Sequence, residues 1–132
     1  MAFYTAAGKP FTQRVVFSLD RGRTWTKFER NPVVPNIVGE NRDPKVFWHE
    51  GTRRWVMALY LEGNTYCILS SPDLASWKEE SRLQFPGAGE CPDRFTLSLD
   101  GLVNIEDALH SNGQHLYLRK RVKDYRPMEA VQ

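Results

Sequence analysis

Two turns of similar composition, 53 residues apart, constrain the fold of this 132-residue chain more than any other feature. The first reads Ser18-Leu19-Asp20-Arg21-Gly22-Arg23-Thr24-Trp25, and the second reads Ser71-Pro72-Asp73-Leu74-Ala75-Ser76-Trp77. In each turn an aspartate can accept hydrogen bonds from nearby backbone amides, and a tryptophan begins the returning strand. A repeat of this length is typical of a β-propeller, whose four-stranded blades span roughly 40 to 50 residues.

The runs around these turns predict a succession of short antiparallel strands. Aromatic residues make up 12% of the chain, and eight prolines and nine glycines punctuate it, which favours strands joined by tight turns. We expect one complete blade between the two turns. The predicted strands are residues 3–5, 13–18, 45–48, 54–60, 65–70 and 77–81. The fold class is therefore all-β, and a plain antiparallel meander is the alternative to a propeller.

The pattern changes after Asp100-Gly101. Residues 105–110 predict a short helix and residues 115–119 a strand, and the last few residues are expected to be disordered. We therefore predict two regions, a partial β-propeller over 1–100 and a divergent C-terminal tail over 101–132. The tail holds a basic cluster, which we interpret as a solvated strand face rather than a nucleic-acid-binding surface. Its members are Arg119, Lys120, Arg121, Lys123 and Arg126.

Charge, hydropathy and cysteine content narrow the function classes. A net charge of +2 gives no reason to expect a strongly acidic partner. No run approaches the roughly 20 apolar residues of a membrane helix. Residues 1–8 lack the basic and apolar segments of a signal peptide, so the cytoplasm is the default location. Cys67 and Cys91 have neither CxxC spacing nor nearby histidines, so we expect no metal, no cofactor and two free thiols, with a disulfide as the alternative.

Two motifs each place an acid at the start of a proline-led β-run. The first is Asn41-Arg42-Asp43-Pro44-Lys45-Val46-Phe47-Trp48, and the second is Gly87-Ala88-Gly89-Glu90-Cys91-Pro92-Asp93-Arg94-Phe95. Proline keeps the residue before it out of the helical region, so we expect Asp43 at a strand entry. Two carboxylates delivered by strand starts are candidates for glycosidic chemistry. Taken singly, Asp43 has a simpler explanation as a turn cap and Glu90 as a solvated acid.

In combination these motifs resemble glycoside hydrolase family 32, the invertases, levanases, inulinases and other β-fructosidases. The resemblance rests on the two acid motifs and on Trp55-Val56-Met57, and it runs from about Phe3 to about Leu99. It implies a partial five-bladed β-propeller, of which this chain holds about two blades, with an active site in the central funnel. It also implies that Asp43 stabilises the transition state, that Arg42 and Asp43 bind substrate, and that Glu90 is the general acid/base.

The chemistry fits these implied roles. Cleavage of a fructoside develops oxocarbenium-like positive charge, which a fixed carboxylate such as that of Asp43 lowers in energy. The leaving oxygen needs a proton from an acid whose pKa is raised by neighbouring carboxylates or by burial. We expect Glu90, shielded by Pro92, to be such an acid.

One part of the family pattern is absent from the 132 residues. The family's nucleophile is an aspartate in a Trp-Met-Asn-Asp-Pro-Asn-Gly-type motif, and this sequence has no such motif. A retaining mechanism needs two carboxyl groups, one attacking and one donating a proton. We therefore expect a fragment or truncated form of a β-fructosidase of the sucrose, levan or inulin type, which is inactive as this chain alone.

Two other functions stay open. The first is a catalytically silent module that binds sugar or assembles with itself, because a partial propeller leaves strand edges that invite pairing with a second copy. The second is a sialidase-like propeller, because Ser18-x-Asp20-x-Gly22-x-Thr24-Trp25 matches the Asp-box turn of that family, although that turn is structural. The expected partners are a fructose-containing saccharide and further copies of the chain, with no nucleic acid and no membrane.

Overall fold

The computed structural model describes residues 1–84, 90–99, 103–111, 115–120 and 129–131, with side chains up to residue 92. All regular elements in these ranges are β-strands. They are β1 (Ala2–Ala6), β2 (Thr12–Phe17), β3 (Thr26–Lys27), β4 (Arg42–His49), β5 (Arg54–Tyr60), β6 (Thr65–Ser71), β7 (Lys78–Gln84), β8 (Pro92–Leu99), β9 (Val103–Ser111), β10 (His115–Lys120) and β11 (Glu129–Val131). In the part of the chain that the structure describes, no helix is long and apolar enough to cross a membrane.

The strands form three antiparallel sheets in chain order. β1, β2 and β3 make a three-stranded sheet, β4 to β7 make a four-stranded sheet, and β8 to β11 make a second four-stranded sheet. Each strand pairs with its neighbour in sequence, which is the meander expected of propeller blades. The sheets approach one another at β4, which contacts both β1 and β8.

The strands predicted before residue 85 are confirmed. Residues 54–60 coincide with β5, and the predictions at 3–5, 13–18, 45–48 and 65–70 each fall on an observed strand within a few residues at either end. The outer strand begins at Lys78 and extends to Gln84 instead of ending at residue 81. The alternating pattern and turn residues were sufficient here because each strand pairs only with its chain neighbours.

The predictions for the last third of the chain succeed less well. The short helix predicted at 105–110 is wrong, because these residues lie in β9, which pairs with β8 on one side and β10 on the other. Pairing on both sides has overridden the weak local helical tendency. The strand at 115–119 is confirmed as β10, and Glu129–Val131 form β11 where disorder was expected. The predicted boundary after residue 100 falls between β8 and β9 and stays a prediction.

One hydrophobic core joins the first two sheets. Its buried members come from β2, from the segment after β3 and from the central strands of the second sheet: Val15, Val33, Val34, Met57, Leu59, Leu61, Cys67 and Leu69. Phe3 of β1 and Trp77 pack against this core, and their rings meet edge to face with centroids 5.8 Å apart. Each large side chain buried in this way stabilises the fold by about 1.5–3 kcal/mol. The packing therefore fixes β1 in position beside the second sheet.

The first of the repeated turns is held by hydrogen bonds to Asp20. Its Oδ1 accepts from the Thr24 amide at 2.8 Å and from the Ser18 hydroxyl at 2.8 Å, and its Oδ2 accepts from the Thr24 hydroxyl at 2.7 Å. Ser18 Oγ accepts from the Gly22 amide at 2.7 Å, and Trp25 Nε1 donates to the Gly22 carbonyl at 3.1 Å. Gly22 has φ 86°, a value that glycine tolerates best.

The second turn repeats this bonding with one residue fewer. Asp73 Oδ1 accepts from the Ser76 amide at 2.7 Å, and its Oδ2 accepts from the Ser76 hydroxyl at 3.0 Å. Ser71 Oγ accepts from the Leu74 amide at 2.8 Å, and Trp77 Nε1 donates to the Leu74 carbonyl at 3.0 Å. The repeat detected in the sequence is therefore a repeat of hydrogen bonds, and it places equivalent turns between β2 and β3 and between β6 and β7.

Acid should weaken both turns. Hydrogen bonds from the Thr24 backbone lower the pKa of Asp20 from 3.8 to about 2, and those from the Ser76 backbone lower the pKa of Asp73 to about 2. A folded-state pKa below the unfolded value adds stability above the unfolded pKa and loses it as pH falls through the folded one. We expect Asp20→Asn and Asp73→Asn to unfold at lower temperature than wild type at neutral pH, with the difference closing between pH about 4 and about 2.

Thermal unfolding followed by circular dichroism across this pH range measures the effect. Leu19→Ala is the matched control, because Leu19 lies in the first turn, is 93% exposed and carries no charge. The difference in unfolding temperature between Leu19→Ala and wild type should be the same at every pH. A difference between wild type and the Asn variants that stays constant down to pH 2 would contradict the prediction.

Candidate active site

Both acid motifs begin a strand in the structure, and both strands begin at the place where the sheets meet. β4 begins at Arg42 and β8 at Pro92. The pairing register of β4 with β5 shifts between Arg42 and Lys45, where Pro44 has no amide hydrogen to donate. Asp43 therefore lies in an irregular stretch at the end of the sheet, and Gly87–Gly89 of the second motif lie outside the described residues.

The backbone at Asp43 is left-handed, with φ 60°. Pro44 does keep Asp43 out of the right-handed helical region, as the sequence predicts, but the observed conformation is one that few residues other than glycine adopt. A left-handed residue costs roughly 1–3 kcal/mol and persists only where its surroundings hold it. The contacts of Asp43 must therefore hold its backbone in this conformation.

Two neighbouring segments hold Asp43. Its backbone amide donates to Thr5 Oγ1 of β1 at 3.1 Å, and its Oδ2 accepts from the Cys91 amide at 3.2 Å. The Cys91 thiol also lies 3.5 Å from Oδ2, and burial followed by the charge of Asp43 raises the pKa of that thiol. Asp43 thus connects the first sheet to the loop that carries Glu90.

A buried polar chain supports Thr5 from behind. Thr5 donates its hydroxyl proton to Gln13 Oε1 at 2.8 Å, and Gln13 Nε2 donates to the Asn41 carbonyl at 2.9 Å. Asn41 Oδ1 accepts from Asn36 Nδ2 at 2.8 Å and from the Ile37 amide at 3.0 Å. Gln13 and Asn41 are both fully buried. Because Thr5 uses its proton on Gln13, its oxygen is free to accept from Asp43.

Sequence reasoning missed Gln13 and Asn41 as parts of this site. Gln13 is a polar residue in a strand that also carries the core residue Val15, and its burial is the signal that marks it. Polar groups are rarely buried unless hydrogen-bonded, so a glutamine among core positions indicates a specific structural role. The side chain of Gln13 bonds both to Thr5 and to the carbonyl of Asn41, and it therefore connects the two segments that flank Asp43 in space and in sequence.

The structure brings Arg42 and Glu90 together as an ion pair. Arg42 Nη2 lies 2.6 Å from Glu90 Oε1, and Arg42 Nε donates to Glu90 Oε2 at 3.2 Å, which is the parallel two-bond geometry of strong arginine–carboxylate pairs. Arg42 Nη1 also donates to the Glu40 carbonyl at 3.0 Å. The guanidinium stacks over the Tyr60 ring with 4.9 Å from its carbon to the ring centroid. Arg42, Asp43 and Glu90 thus form one cluster.

The expected rise in the pKa of Glu90 is wrong for this structure. The hydrogen bond and the positive charge of Arg42 lower the pKa of Glu90, and the Glu90 side chain is 53% exposed, so burial does little to oppose them. Pro92 is buried, but it does not bury Glu90. The ion pair with Arg42 therefore favours the ionised form of Glu90.

One of the two cysteines, Cys91, lies at the site, and the other, Cys67, lies in the hydrophobic core. Cys67 and Cys91 are both free thiols; Cys67 is buried, and burial raises its pKa to about 12. Within the described ranges no group of three or more His, Cys, Asp or Glu side chains is arranged to hold a metal ion. The polar atoms at the candidate site are therefore carboxylates, a guanidinium, a thiol, hydroxyls and amides.

Removal of the Thr5 hydroxyl tests the support of Asp43. Thr5→Val keeps the shape of the side chain but leaves the Asp43 amide and Gln13 Oε1 without this partner, and an unsatisfied polar group of this kind costs about 1–3 kcal/mol. We expect urea unfolding to show that loss for Thr5→Val and little loss for Thr5→Ser, which keeps the hydroxyl. Faster hydrogen exchange of the Asp43 amide in the Val variant alone is the local signature.

Equal stability and equal Asp43 exchange in Thr5→Val and Thr5→Ser would contradict this account. Such a result would mean that the hydroxyl does not restrain Asp43 and that other contacts set its backbone conformation.

This chain is similar to known proteins in family, in sequence and in structure. The family described as "Glycosyl hydrolases family 32 N-terminal domain" matches residues 1–126, which extends past the last motif noted in the sequence. The levanase of Bacillus subtilis is 43% identical over 98 residues, covering 70% of this chain and 14% of the levanase. The invertase of Wickerhamomyces anomalus is 33% identical over 109 residues, covering 79% of this chain and 20% of the invertase.

Solved structures show the same similarity. The fructofuranosidase of Schwanniomyces occidentalis complexed with fructose has a TM-score of 0.69 at 30% identity, over 88% of this chain and 22% of that protein. The exo-inulinase of Aspergillus awamori has a TM-score of 0.69 at 26% identity, over 88% of this chain and 26% of that protein. The similarity confirms the predicted all-β partial propeller. The chain spans about a fifth or less of the length of the curated relatives it matches.

Proposed function

Because this chain belongs to glycosyl hydrolase family 32, we propose that its cluster of Arg42, Asp43 and Glu90 is part of a β-fructosidase site and binds a fructose-containing saccharide. The observation that carries the proposal is the meeting of two acid motifs, 47 residues apart in sequence, through the Arg42–Glu90 ion pair and the Cys91–Asp43 hydrogen bond. The relatives include a levanase and an invertase, and one structural neighbour is a fructofuranosidase complexed with fructose, which supports this ligand class.

Asp43 is suited to recognise and stabilise the sugar. Its carboxylate position is set by the Cys91 amide and its backbone by Thr5, so the charge stays fixed while the substrate changes. A carboxylate held in this way can accept hydrogen bonds from fructosyl hydroxyls. It can also lower the energy of the positive charge that develops in the ring as the glycosidic bond breaks.

Glu90 is suited to proton transfer once its partner moves. As an ionised carboxylate it can act as a base, and to act as an acid it must first lose the ion pair with Arg42 that lowers its pKa. A saccharide hydroxyl that accepts from Arg42 would draw the guanidinium away and let Glu90 take up a proton. In this role Arg42 binds substrate and also controls the charge of Glu90.

This chain alone should not hydrolyse fructosides. A retaining glycosidase needs a nucleophile and an acid/base about 5–5.5 Å apart, and the family's nucleophile motif is absent from the 132 residues. The Cys91 amide already donates to Asp43 Oδ2, which supports a role for this carboxylate in recognition rather than in attack. We therefore propose that the chain is a fragment or truncated form that holds part of a retaining two-carboxylate site, for a substrate of the sucrose, levan or inulin type.

Binding and turnover can be separated by experiment. We expect the purified chain to release no reducing sugar from sucrose, inulin or levan above the buffer rate. We also expect fructose to shift the amide resonances of Arg42, Asp43 and Cys91 in a nuclear magnetic resonance titration. Asp43→Asn should weaken that binding by about tenfold or more, because a hydrogen bond to a charged group contributes roughly 1.5–3 kcal/mol.

Leu19→Ala is the control for fold, because Leu19 lies in an exposed turn between β2 and β3. Sialic acid is the control for ligand class, because the repeated turns also occur in sialidase-like propellers. Ordinary turnover by the chain alone would refute the proposed inactivity. Resonance shifts with sialic acid but not with fructose would refute the proposed ligand.

A second proposal concerns self-association, and it rests on the contrast between two edge strands of the described sheets. β7 is exposed and carries the ion pairs Lys78–Glu80 and Arg82–Glu79, which discourage pairing with another strand. β1 is an edge strand of half-buried, uncharged residues, Ala2-Phe3-Tyr4-Thr5-Ala6. We propose that β1 pairs with β1 of a second copy and forms a homodimer.

Light scattering tests this pairing directly. We expect a dimer for wild type at high concentration and a shift toward monomer for Tyr4→Lys, which places a charge on the edge strand. Ser81→Lys is the matched control, because it adds the same charge to the already charged β7. A monomeric wild type, or equal dissociation by the two variants, would contradict the proposed interface.

A further inference from the structure

Arg42 lies between an aromatic ring and a carboxylate. One side of the guanidinium contacts the face of Tyr60 at 4.9 Å, and two of its nitrogens, Nε and Nη2, reach the two oxygens of Glu90. A cation over an aromatic face is attracted by the negative charge density of the ring. The position of the Tyr60 ring therefore influences where the Arg42 guanidinium lies relative to Glu90.

Tyr60 is itself held rigidly. Its side chain is buried at the end of β5, its hydroxyl donates to the Gly63 carbonyl at 3.0 Å, and its ring meets the Tyr66 ring at 5.7 Å and 69°. The residues before it in the strand, from Met57 onward, are also buried. A ring fixed at its hydroxyl end and along its edge is a stable surface for the side chain of Arg42.

A second carboxylate competes for the same cation. Glu40 Oε2 lies 3.6 Å from Arg42 Nη1, so a rotation of the guanidinium toward Glu40 would break the parallel bonds to Glu90. Arginine loses considerable rotamer entropy when it is held in one orientation. A further contact must therefore favour the orientation of the Arg42 guanidinium toward Glu90 over its orientation toward Glu40.

We propose that Tyr60 is a positioning residue whose ring holds the Arg42 guanidinium in the orientation that bonds both carboxylate oxygens of Glu90. Among the residues whose side chains the structure describes, the charged and titratable groups around Glu90 include Arg42 and Asp43 of β4 and its neighbour Cys91, and Arg42 in turn faces Glu40 and Tyr60. Arg42 is the cation in this set. Its orientation therefore decides how strongly Glu90 is kept ionised.

The catalytic meaning of this arrangement rests on the proposed function. If Glu90 transfers a proton to the leaving oxygen, Tyr60 sets the strength of the ion pair that a sugar must open before Glu90 becomes an acid. The geometric claim itself concerns only the free chain, so it can be tested without substrate.

Replacement of the ring tests the claim through the titration of Glu90. We expect Tyr60→Leu, which has no aromatic face, to raise the pKa of Glu90 by about half a unit, the amount that one exposed cation–π contact supplies. Tyr60→Phe keeps the face and loses only the bond to Gly63, so the pKa of Glu90 should stay near that of wild type. The measurement is a carbon-13 titration of the Glu90 carboxyl group.

Leu69→Ala is the matched control for damage to the core, because Leu69 is buried in β6 opposite Met57 rather than opposite Tyr60. It should leave the pKa of Glu90 unchanged. Equal rises in Tyr60→Leu and Leu69→Ala, or no rise in Tyr60→Leu, would overturn the proposal.

A measurement on wild type keeps the proposal testable where a Leu variant fails to fold. Protons of Arg42 held over the Tyr60 ring should resonate upfield of their usual positions, and Tyr60→Phe should preserve the shift. Usual positions for the Arg42 protons in wild type would overturn the claim. Fructose titration is a separate readout: loss of sugar binding with an intact response of Glu90 to Tyr60 would contradict the proposed function and leave the positioning role standing.

Discussion

The hydrophobic core shared by the first two sheets is the constraint on which the candidate site depends. Val15 of β2 and Val33 and Val34 after β3 pack into one cluster with the buried residues of β5 and β6. Burial at about 1.5–3 kcal/mol for each large side chain far exceeds what half-exposed polar contacts contribute. Because this packing fixes β1 beside the start of β4, Thr5 can accept the amide proton of Asp43.

Among the described side chains of the site, one guanidinium, that of Arg42, is shared by several carboxylates. Arg42 faces the carboxylates of Glu90, Asp43 and Glu40, and it bonds most closely to Glu90. An exposed ion pair of this kind adds little to stability, so its main consequence is the charge of Glu90. Such carboxylates can accept hydrogen bonds from hydroxyl groups, and the guanidinium of Arg42 can donate hydrogen bonds to hydroxyl oxygens.

The sequence predicts those features that depend on neighbours along the chain. The two repeated turns and the strands of the first two sheets follow from turn chemistry and alternation. The meeting of the Asp43 and Glu90 motifs, which lie far apart in sequence, was expected only from their resemblance to the family. The lowered pKa of Glu90 does not follow, because it depends on where the long side chain of Arg42 points. The strand at 103–111 was missed for a related reason, since pairing with β8 and β10 outweighs local preference.

Two residues at the site, Asp43 and Cys91, each precede a proline and have left-handed backbone, and a hydrogen bond joins them. Asp43 precedes Pro44 and Cys91 precedes Pro92, and both residues are left-handed, with φ 60° and 59°. The right-handed helical region is disfavoured for a residue before a proline, but such a residue usually adopts an extended backbone rather than a left-handed one. Each left-handed residue costs roughly 1–3 kcal/mol, and the bond from the Cys91 amide to Asp43 Oδ2 offsets part of that cost for both residues together. Strain shared in this way ties the carboxylate of Asp43 to the residue next to Glu90, so the two acids are positioned as a unit.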